Sequence, residues 1–231
     1  MKSIIDFGAV PNPIDGDAPF IDSYPAFQAA ADTGKPVEIP AGVGAFYLSH
    51  PVVNLTSAID PFSPGMKFIG EDRDNSIVWS GITNDAAFKW DVYDLSGARR
   101  FTVDSELSRF SLTPAPGVAA KRGVTITAAW YLKSEKLRVQ GFSENGIVVP
   151  WRADINPSLS DVYQCLRLSF IDPFVRGQAG SGFVFGAGQS PGLWEIIGGE
   201  IRLNGASGVV SSTGQFNLNH VIIAENARHG L

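Results

Sequence analysis

An aspartate and a histidine, Asp172 and His220, are one pair of side chains in this sequence that could act together as acid and base. A carboxyl group and an imidazole can transfer protons near neutral pH, as the cleavage of a sugar chain requires. Both residues fall at equivalent positions of an internal repeat, with Gly198 at the same position between them. Stacked repeats would hold the two side chains about 10 Å apart, which is two inter-strand spacings. The alternative is that both lie on a solvated face.

Aromatic and arginine side chains offer a second kind of chemistry, the binding of sugars. Aromatic rings can stack on the apolar faces of sugar rings, and the candidates are Trp130, Tyr131 and Trp151. Arg176 and Arg202 occupy equivalent repeat positions after a core residue, so we expect them to point outward as a ladder that can meet acidic sugars. The structural alternative is packing for the aromatic residues and a solvated surface for the arginines.

The repeat that relates these residues occupies the last third of the chain. Three copies align, spaced by 26 residues and then by 22. Apolar residues recur at four positions, an amide side chain at one and glycine at one. The aligned sets are Leu168, Trp194 and Phe216; Phe170, Ile196 and Leu218; Val175, Ile201 and Ile223; Gln178, Asn204 and Asn226; Gly182, Gly208 and Gly230; and Phe183, Val209 and Leu231. A repeat of this length, built from short strands and turns, is typical of one coil of a parallel β-helix.

In stacked coils, residues at one repeat position lie above one another at the ordinary inter-strand spacing of about 4.8 Å. The apolar sets then fill a narrow core, where we expect Trp194 and also the single cysteine, Cys165. The amide set is expected to form a ladder of side-chain hydrogen bonds at a turn. A leucine-rich repeat has a similar length, but the dense leucine pattern that it needs is missing.

The first 50 residues have a pattern of their own. We expect a strand over Ser3–Val10 and then a helix that begins at Asp22 or Ser23, both of which are good N-cap residues. Strands over Val37–Pro40 and Phe46–Leu48 follow. Further strands are predicted over Met66–Gly70, Ser76–Trp79, Ala87–Trp90, Ser108–Leu112, Gly123–Thr127 and Leu137–Phe142.

Composition excludes several classes of function. The chain has 231 residues, of which 44% are hydrophobic and 18% charged, so it is globular with a sizeable core. A net charge of −5 argues against nucleic-acid binding. A single cysteine excludes an internal disulfide. With three histidines besides, the sequence predicts neither a metal site nor a cofactor. No apolar run reaches the roughly 20 residues of a membrane span, and an acid at position 6 argues against a signal peptide, so we expect no membrane partner.

The N-terminal pattern resembles the opening of right-handed β-helix proteins of the pectate-lyase superfamily. The resemblance rests on residues 5–9 (IDFGA), 15–16 (DG), 22–30 (DSYPAFQAA) and 37–42 (VEIPAG), and residues 226–231 are similar to the asparagine turn of that family's coils. It implies an all-β fold, a right-handed parallel β-helix with a short N-terminal capping helix. We therefore expect a cap over residues 1–48 and stacked coils over residues 49–231.

The family includes polysaccharide lyases, polygalacturonase-like hydrolases and bacteriophage tailspikes, so the resemblance alone does not select a function. The paired aspartates of the polygalacturonases are missing, and the acidic cluster of the pectate-lyase calcium site cannot be assembled. We therefore expect a tailspike-like component, in a virion or extracellular, that recognises and in one interpretation degrades a bacterial surface polysaccharide. A polysaccharide lyase or glycoside hydrolase, and a purely structural β-helix, are the alternatives. The uncapped last repeat predicts a covering neighbour, in a homotrimer or from other virion proteins, or further coils.

Overall fold

The computed structural model describes residues 1–56, 62–92, 101–150, 165–186, 193–211 and 216–230. Within them the chain forms one α-helix, one 3₁₀ turn and 22 strands. The strands make three sheets, A, B and C, and every pair of neighbouring strands in them is parallel. The chain is a right-handed parallel β-helix, which confirms the fold class expected from the repeat and from the N-terminal resemblance.

The bounds of the elements follow the three sides of the coil. The α-helix α1 is Tyr24–Ala31 and the 3₁₀ turn is Ile4–Phe7. Sheet A contains β1 Lys2–Ser3, β2 Pro36–Ile39, β5 Phe62–Pro64, β6 Lys67–Gly70, β9 Phe101–Ser108, β12 Ala129–Glu135, β15 Cys165–Ile171, β18 Trp194–Ile197 and β21 Phe216–Asn219. Sheet B contains β3 Ala45–Leu48, β7 Ile77–Ser80, β10 Ser111–Pro114, β13 Arg138–Gln140, β16 Phe174–Arg176, β19 Glu200–Arg202 and β22 Ile222–Ala224. Sheet C contains β4 Val52–Thr56, β8 Ala86–Val92, β11 Arg122–Ile126, β14 Ile147–Val149, β17 Phe183–Phe185 and β20 Val209–Ser211.

Each coil runs through a strand of sheet A, then sheet B, then sheet C. Seven coils follow one another in the described part of the chain, and β21 and β22 represent the seventh. The register confirms the predicted repeat, because Trp194 pairs with Leu168 on one side and with Phe216 on the other. The division of the chain at residue 48 stays a prediction.

Large apolar side chains fill the space inside the coils. In the N-terminal half, Phe27 of α1 packs 5.2 Å from Phe68, whose ring lies 5.5 Å from that of Phe88, so the helix closes this end of the core. In the C-terminal half, Trp194 is 1% exposed, as predicted. Cys165 is fully buried, also as predicted, and burial raises the pKa of its thiol to about 12. The thiol is therefore no nucleophile at neutral pH.

The amide ladder forms as the repeat predicts. The Asn204 side-chain oxygen accepts a hydrogen bond from the backbone N–H of Gln178 at 3.2 Å, and its amide nitrogen donates to Asn226 Oδ1 at 2.8 Å. Gln178 in turn accepts from the N–H of Phe142 at 2.8 Å, so the ladder extends one coil beyond the three aligned copies. Asn204 and Gln178 are 1% and 2% exposed, which means that water cannot replace these bonds.

Replacing Asn204 with alanine is expected to destabilise the fold by about 2–3 kcal/mol, because the Gln178 N–H loses its acceptor and Asn226 loses a donor. Urea unfolding followed by circular dichroism measures the loss. Asn219, an exposed asparagine of the last described coil, gives the control Asn219→Ala, which we expect to cost less than about 0.5 kcal/mol. Equal losses in the two variants would contradict the ladder.

Two strand predictions were wrong. The segment Ser3–Val10 is a strand only at its start, because the Ser3 hydroxyl accepts the N–H of Ile5 and Asp6 accepts that of Ser3, a capping box that winds the chain into the 3₁₀ turn. The predicted strand Ser108–Leu112 spans a corner. Arg109 has a φ of +59° there, and the chain leaves sheet A for sheet B.

Candidate functional site

Three consecutive strands of sheet A bend at the same level. The bends are at Asp104, Tyr131 and Arg167, whose φ angles are 59°, 60° and 53°. The three residues, which we name the kink column, lie above one another because the residues on both sides of them are in register. Left-handed backbone costs an L-amino acid roughly 1–2 kcal/mol, and such strain clusters at functional sites. Six other non-glycine residues in the described part of the chain share this conformation, among them Arg109, Lys136, Asp172 and His220 at the corner between sheets A and B. The kink column differs from them because it lies within the strands of sheet A.

The bend changes which side chains reach the surface. Inward and outward residues alternate along an ordinary strand. In β12, however, Trp130 is half-buried and the next residue, Tyr131, is 51% exposed, before Leu132 turns back into the core. The kink therefore presents the tyrosine ring to solvent from the middle of a sheet. Both aromatic residues are among the sugar-binding candidates of the sequence.

A shallow groove of about 350 Å³ runs beside the kink column. The Arg167 guanidinium lies 5.3 Å from the Tyr131 ring centroid, and Asp104 forms an ion pair with Lys67. No carboxylate pairs with Arg167 among the described residues. The groove is lined by Asp104, Tyr131, Leu132, Lys133, Arg167, Ser169 and Ile171. An exposed ring beside cationic and hydroxyl groups suits a ring-shaped polar ligand, since the ring can stack while the polar groups bind hydroxyls.

Charged side chains surround the groove in neighbouring coils. Lys133 Nζ lies 2.9 Å from Glu135 Oε2, and the Ser169 hydroxyl donates to Glu195 Oε1 at 2.5 Å. The hydrogen bond from Lys133 lowers the pKa of Glu135, and the same bond raises the pKa of Lys133. Glu135 is therefore ionised at neutral pH and is unsuited to act as a proton donor.

Removing the Lys133 charge is expected to raise the Glu135 pKa. Because that pKa lies below its ordinary value in the folded state, the pair stabilises the fold at neutral pH, and the stabilisation is lost as the pH falls through the folded-state pKa. Lys133→Gln should therefore move the carboxyl titration, measured by NMR, towards 4.5 and flatten the loss of stability in acid. Lys35→Gln, which removes an exposed lysine at the N-terminal end, should change neither. An unmoved Glu135 titration in Lys133→Gln would contradict the pairing.

The predicted acid–base pair lies at the corner between sheets A and B. Asp172 donates its N–H to Ile197 at 2.7 Å and Gly198 donates to Asn219 at 2.8 Å, so Asp172, Gly198 and His220 stack in the predicted order. Two coils separate the aspartate from the histidine, about 10 Å, which is too far for a direct hydrogen bond. In the described part of the chain, no group of three or more histidine, cysteine and acidic side chains is placed to hold a metal ion. The catalytic role of the pair stays a prediction.

The other predicted sugar-binding residues are not in the groove. Arg176 and Arg202 pair in register and project from sheet B, on a different side of the coil. Trp151 lies outside the described residues. Trp130 precedes Tyr131 in β12, but only Tyr131 lines the groove, and the two arginines are on another side of the coil.

Two larger concavities lie near the N-terminal end. One, of about 610 Å³, lies between α1 and β4. Its lining residue Gln28 already forms two hydrogen bonds with the backbone of Val53, since Nε2 donates to the carbonyl and Oε1 accepts from the N–H, each at 2.9 Å. The other, of about 640 Å³, is mostly apolar, and its lining includes Phe7, Val37, Lys2 and Lys35. Lys2 Nζ in this second concavity lies 5.7 Å from the Phe7 ring centroid, but that ring is half-buried. The groove on sheet A presents the more exposed ring, Tyr131, and is the better candidate.

Of the seven groove residues, sequence reasoning found only Tyr131 and missed all four polar ones, Asp104, Lys133, Arg167 and Ser169. The kink column carries a different residue type in each coil, so no repeat of like residues marks it. A weak signal was present, since Lys133, Arg167 and Asp104 interrupt segments in which apolar and polar residues otherwise alternate as in strands.

No family model matches the sequence, and no curated protein matches it in sequence. Solved structures do match. The Geobacillus virus E2 ORF18 protein superposes with a TM-score of 0.68 at 14% identity, over 99% of this chain and 42% of that one. The pre-mature bacteriophage phi29 gene product 12 gives 0.55 at 12% identity, over 98% and 33%. The catalytic unit of a thermostable GH87 α-1,3-glucanase from Streptomyces thermodiastaticus gives 0.56 at 16% identity, over 98% and 42%.

The shared feature is the fold. At these identities the likeness establishes the parallel β-helix and confirms the fold that the N-terminal resemblance implied. The chain spans less than half the length of each of these three proteins. Among the described residues, no helix combines the length and the apolar character that crossing a membrane requires.

Proposed function

We propose that this β-helix is part of a virion spike of a bacterial virus and that the groove on sheet A binds a bacterial surface polysaccharide. The observation that carries the proposal is the kink column, which holds Tyr131 half-exposed in strained backbone beside Arg167. Strained backbone persists only where the surrounding structure enforces it, and its placement here presents an aromatic platform. Two of the three solved structures named above come from viruses, which supports the virion part of the proposal.

Binding is favoured over cleavage by the state of the groove carboxylates. A glycosidase needs one carboxylic acid that is protonated at working pH and a second carboxylate close to it. Asp104 forms an ion pair with Lys67, and the hydrogen bond from Lys133 lowers the pKa of Glu135, so Glu135 is unsuited to donate a proton. Asp172 and His220 stay the alternative for an acid–base pair, at the corner outside the groove.

The experiment is a binding panel of bacterial surface polysaccharides, measured by light scattering on the protein alone and on each mixture. We expect one or more polymers to bind and to keep their full length. A protein that binds no polymer in the panel would contradict the proposal and favour a purely structural module. Shortening of a polymer would show an enzyme, and absorbance of unsaturated uronides would then separate a lyase from a hydrolase. The mass of the protein alone tests whether it forms the expected homotrimer, for which a cover from other virion proteins is the alternative.

A further inference from the structure

A cluster of arginines surrounds one aromatic ring on sheet B. Phe174 projects from β16, and the guanidinium carbons of Arg138, Arg176 and Arg73 lie 4.9, 5.5 and 5.6 Å from its ring centroid. A guanidinium stacked on a ring is attracted to it and keeps its in-plane N–H groups available for other partners. The ring therefore organises several hydrogen-bond donors on a face separate from the sheet A groove.

The register of sheet B continues this donor-rich face along the β-helix axis. Gln140, Arg176 and Arg202 follow one another in successive coils, about 4.8 Å apart. Arg176 therefore lies directly beside Arg202, and like charges in such cross-strand pairs are unfavourable. A ligand with negative charges at this face would relieve the repulsion.

Carboxylates neutralise the two ends of the cluster but not its middle. Arg138 Nη2 lies 2.5 Å from Asp74, which is also 3.6 Å from Arg73, and Arg202 Nη2 lies 2.9 Å from Glu200. Asp72 is near the same end. Its pKa is lowered mainly by hydrogen bonds from the Asp74 N–H and the Asn75 side chain, and to a smaller extent by the charges of Arg73 and Arg138. Within the described part of the chain, Arg176 has no carboxylate partner.

Two further donors in the cluster are unused. The Nε atoms of Arg138 and Arg202 are buried, and neither has a hydrogen-bond acceptor within the described residues. Buried donors without acceptors are rare in folded proteins because they give up hydrogen bonds to water without replacement. Because the Nε atoms are shielded from solvent, an oxyanion at this face can accept only from the more exposed N–H groups of these two side chains.

We propose that the face formed by Arg138, Phe174, Arg176 and Arg202 binds the carboxylate groups of an acidic polysaccharide. A planar carboxylate matches the fork of a guanidinium with two parallel hydrogen bonds. A linear polymer with regularly spaced charges suits arginines that are stacked along the axis. This site is on a different side of the coil from the proposed sheet A groove and does not depend on it.

Calorimetry with polyglucuronic acid tests the site, with dextran as a neutral polymer and single-stranded DNA as a polyanion that has no carboxylates. We expect Arg176→Gln to weaken polyglucuronate binding about tenfold or more, as the loss of a charged hydrogen-bond donor does. Arg176→Lys keeps the charge but not the fork, so its affinity should fall between those of the wild type and Arg176→Gln. Arg228→Gln, which removes an exposed arginine of the last coil, should bind within about twofold of wild type.

Thermal unfolding midpoints establish that the variants are folded. Should Arg176→Gln fail to fold, Arg202→Gln takes its place, and hydrogen exchange of β16 and β19 in the wild-type protein provides a readout that needs no variant. Protection of those strands by polyglucuronate supports the site. The site would be overturned if Arg176→Gln bound polyglucuronate within twofold of the wild type. It would also be overturned if the wild type bound DNA or dextran as tightly as polyglucuronate, or if polyglucuronate protected only other strands.

Discussion

Replacing Trp194 with alanine is expected to destabilise the β-helix by about 3–5 kcal/mol, the cost of removing a large buried aromatic side chain. Trp194 is 1% exposed, and its ring lies 5.1 Å from that of Phe185. Its indole N–H also donates to the carbonyl of Cys165 at 2.8 Å, one coil away. The substitution therefore leaves a cavity between coils and a buried carbonyl without its donor.

Urea unfolding at pH 7 measures this effect. Leu193, the preceding residue, is 47% exposed, so Leu193→Ala should cost less than about 0.5 kcal/mol. Trp194→Phe keeps most of the apolar volume and should lose less than Trp194→Ala. A loss below about 1 kcal/mol in Trp194→Ala would mean that position 194 does not lie in the core and that the repeat has been aligned wrongly.

Replacing Tyr131 with glycine is expected to weaken polysaccharide binding by about tenfold or more while the stability changes by no more than about 1 kcal/mol. The loss of affinity reflects the removed aromatic contact. Stability is kept because glycine adopts the φ of 60° without the roughly 1–2 kcal/mol that an L-residue pays. That gain offsets the loss of the contact with Arg167, which is about 0.5–1 kcal/mol.

Leu203 provides a matched control for this variant. Its φ is 57° and it is 47% exposed, but it lies at the end of β19, away from the sheet A groove. Leu203→Gly should gain or keep stability and bind the polysaccharide as the wild type does. Equal affinity of Tyr131→Gly and the wild type would show that the tyrosine is not part of the binding surface.

The fold could be predicted because every coil has the same packing and hydrogen-bonding requirements at equivalent positions, so similar residues recur there. Gln178, Asn204 and Asn226 each satisfy backbone groups of the same turn, so an amide recurs there. Gly182 recurs as Gly208 because a Cβ at Gly182 would lie 2.7 Å from the carbonyl oxygen of Gly208. The predicted strand at Ser3 was wrong because a capping box there forms local hydrogen bonds that favour a 3₁₀ turn over the strand-like pattern.

The groove could be predicted only in part, because the residues of a binding surface do not recur at equivalent positions of successive coils. Trp130 and Tyr131 were noticed as aromatic residues, but nothing in their spacing indicates that β12 bends there. Arg167 comes close to Tyr131 only because β12 and β15 are adjacent in sheet A, with residues 151–164 in the connection between them. Such a contact depends on register across a long connection, which local sequence does not specify.

The proposed polysaccharide site is tested most directly by a crystal structure of the protein with an oligosaccharide from a polymer that binds in the panel. We predict that a sugar ring lies against the exposed face of Tyr131, with hydroxyl or carboxylate oxygens within hydrogen-bond distance of Arg167 or Lys133. An oligosaccharide bound elsewhere, with the sheet A groove empty, would contradict the proposal.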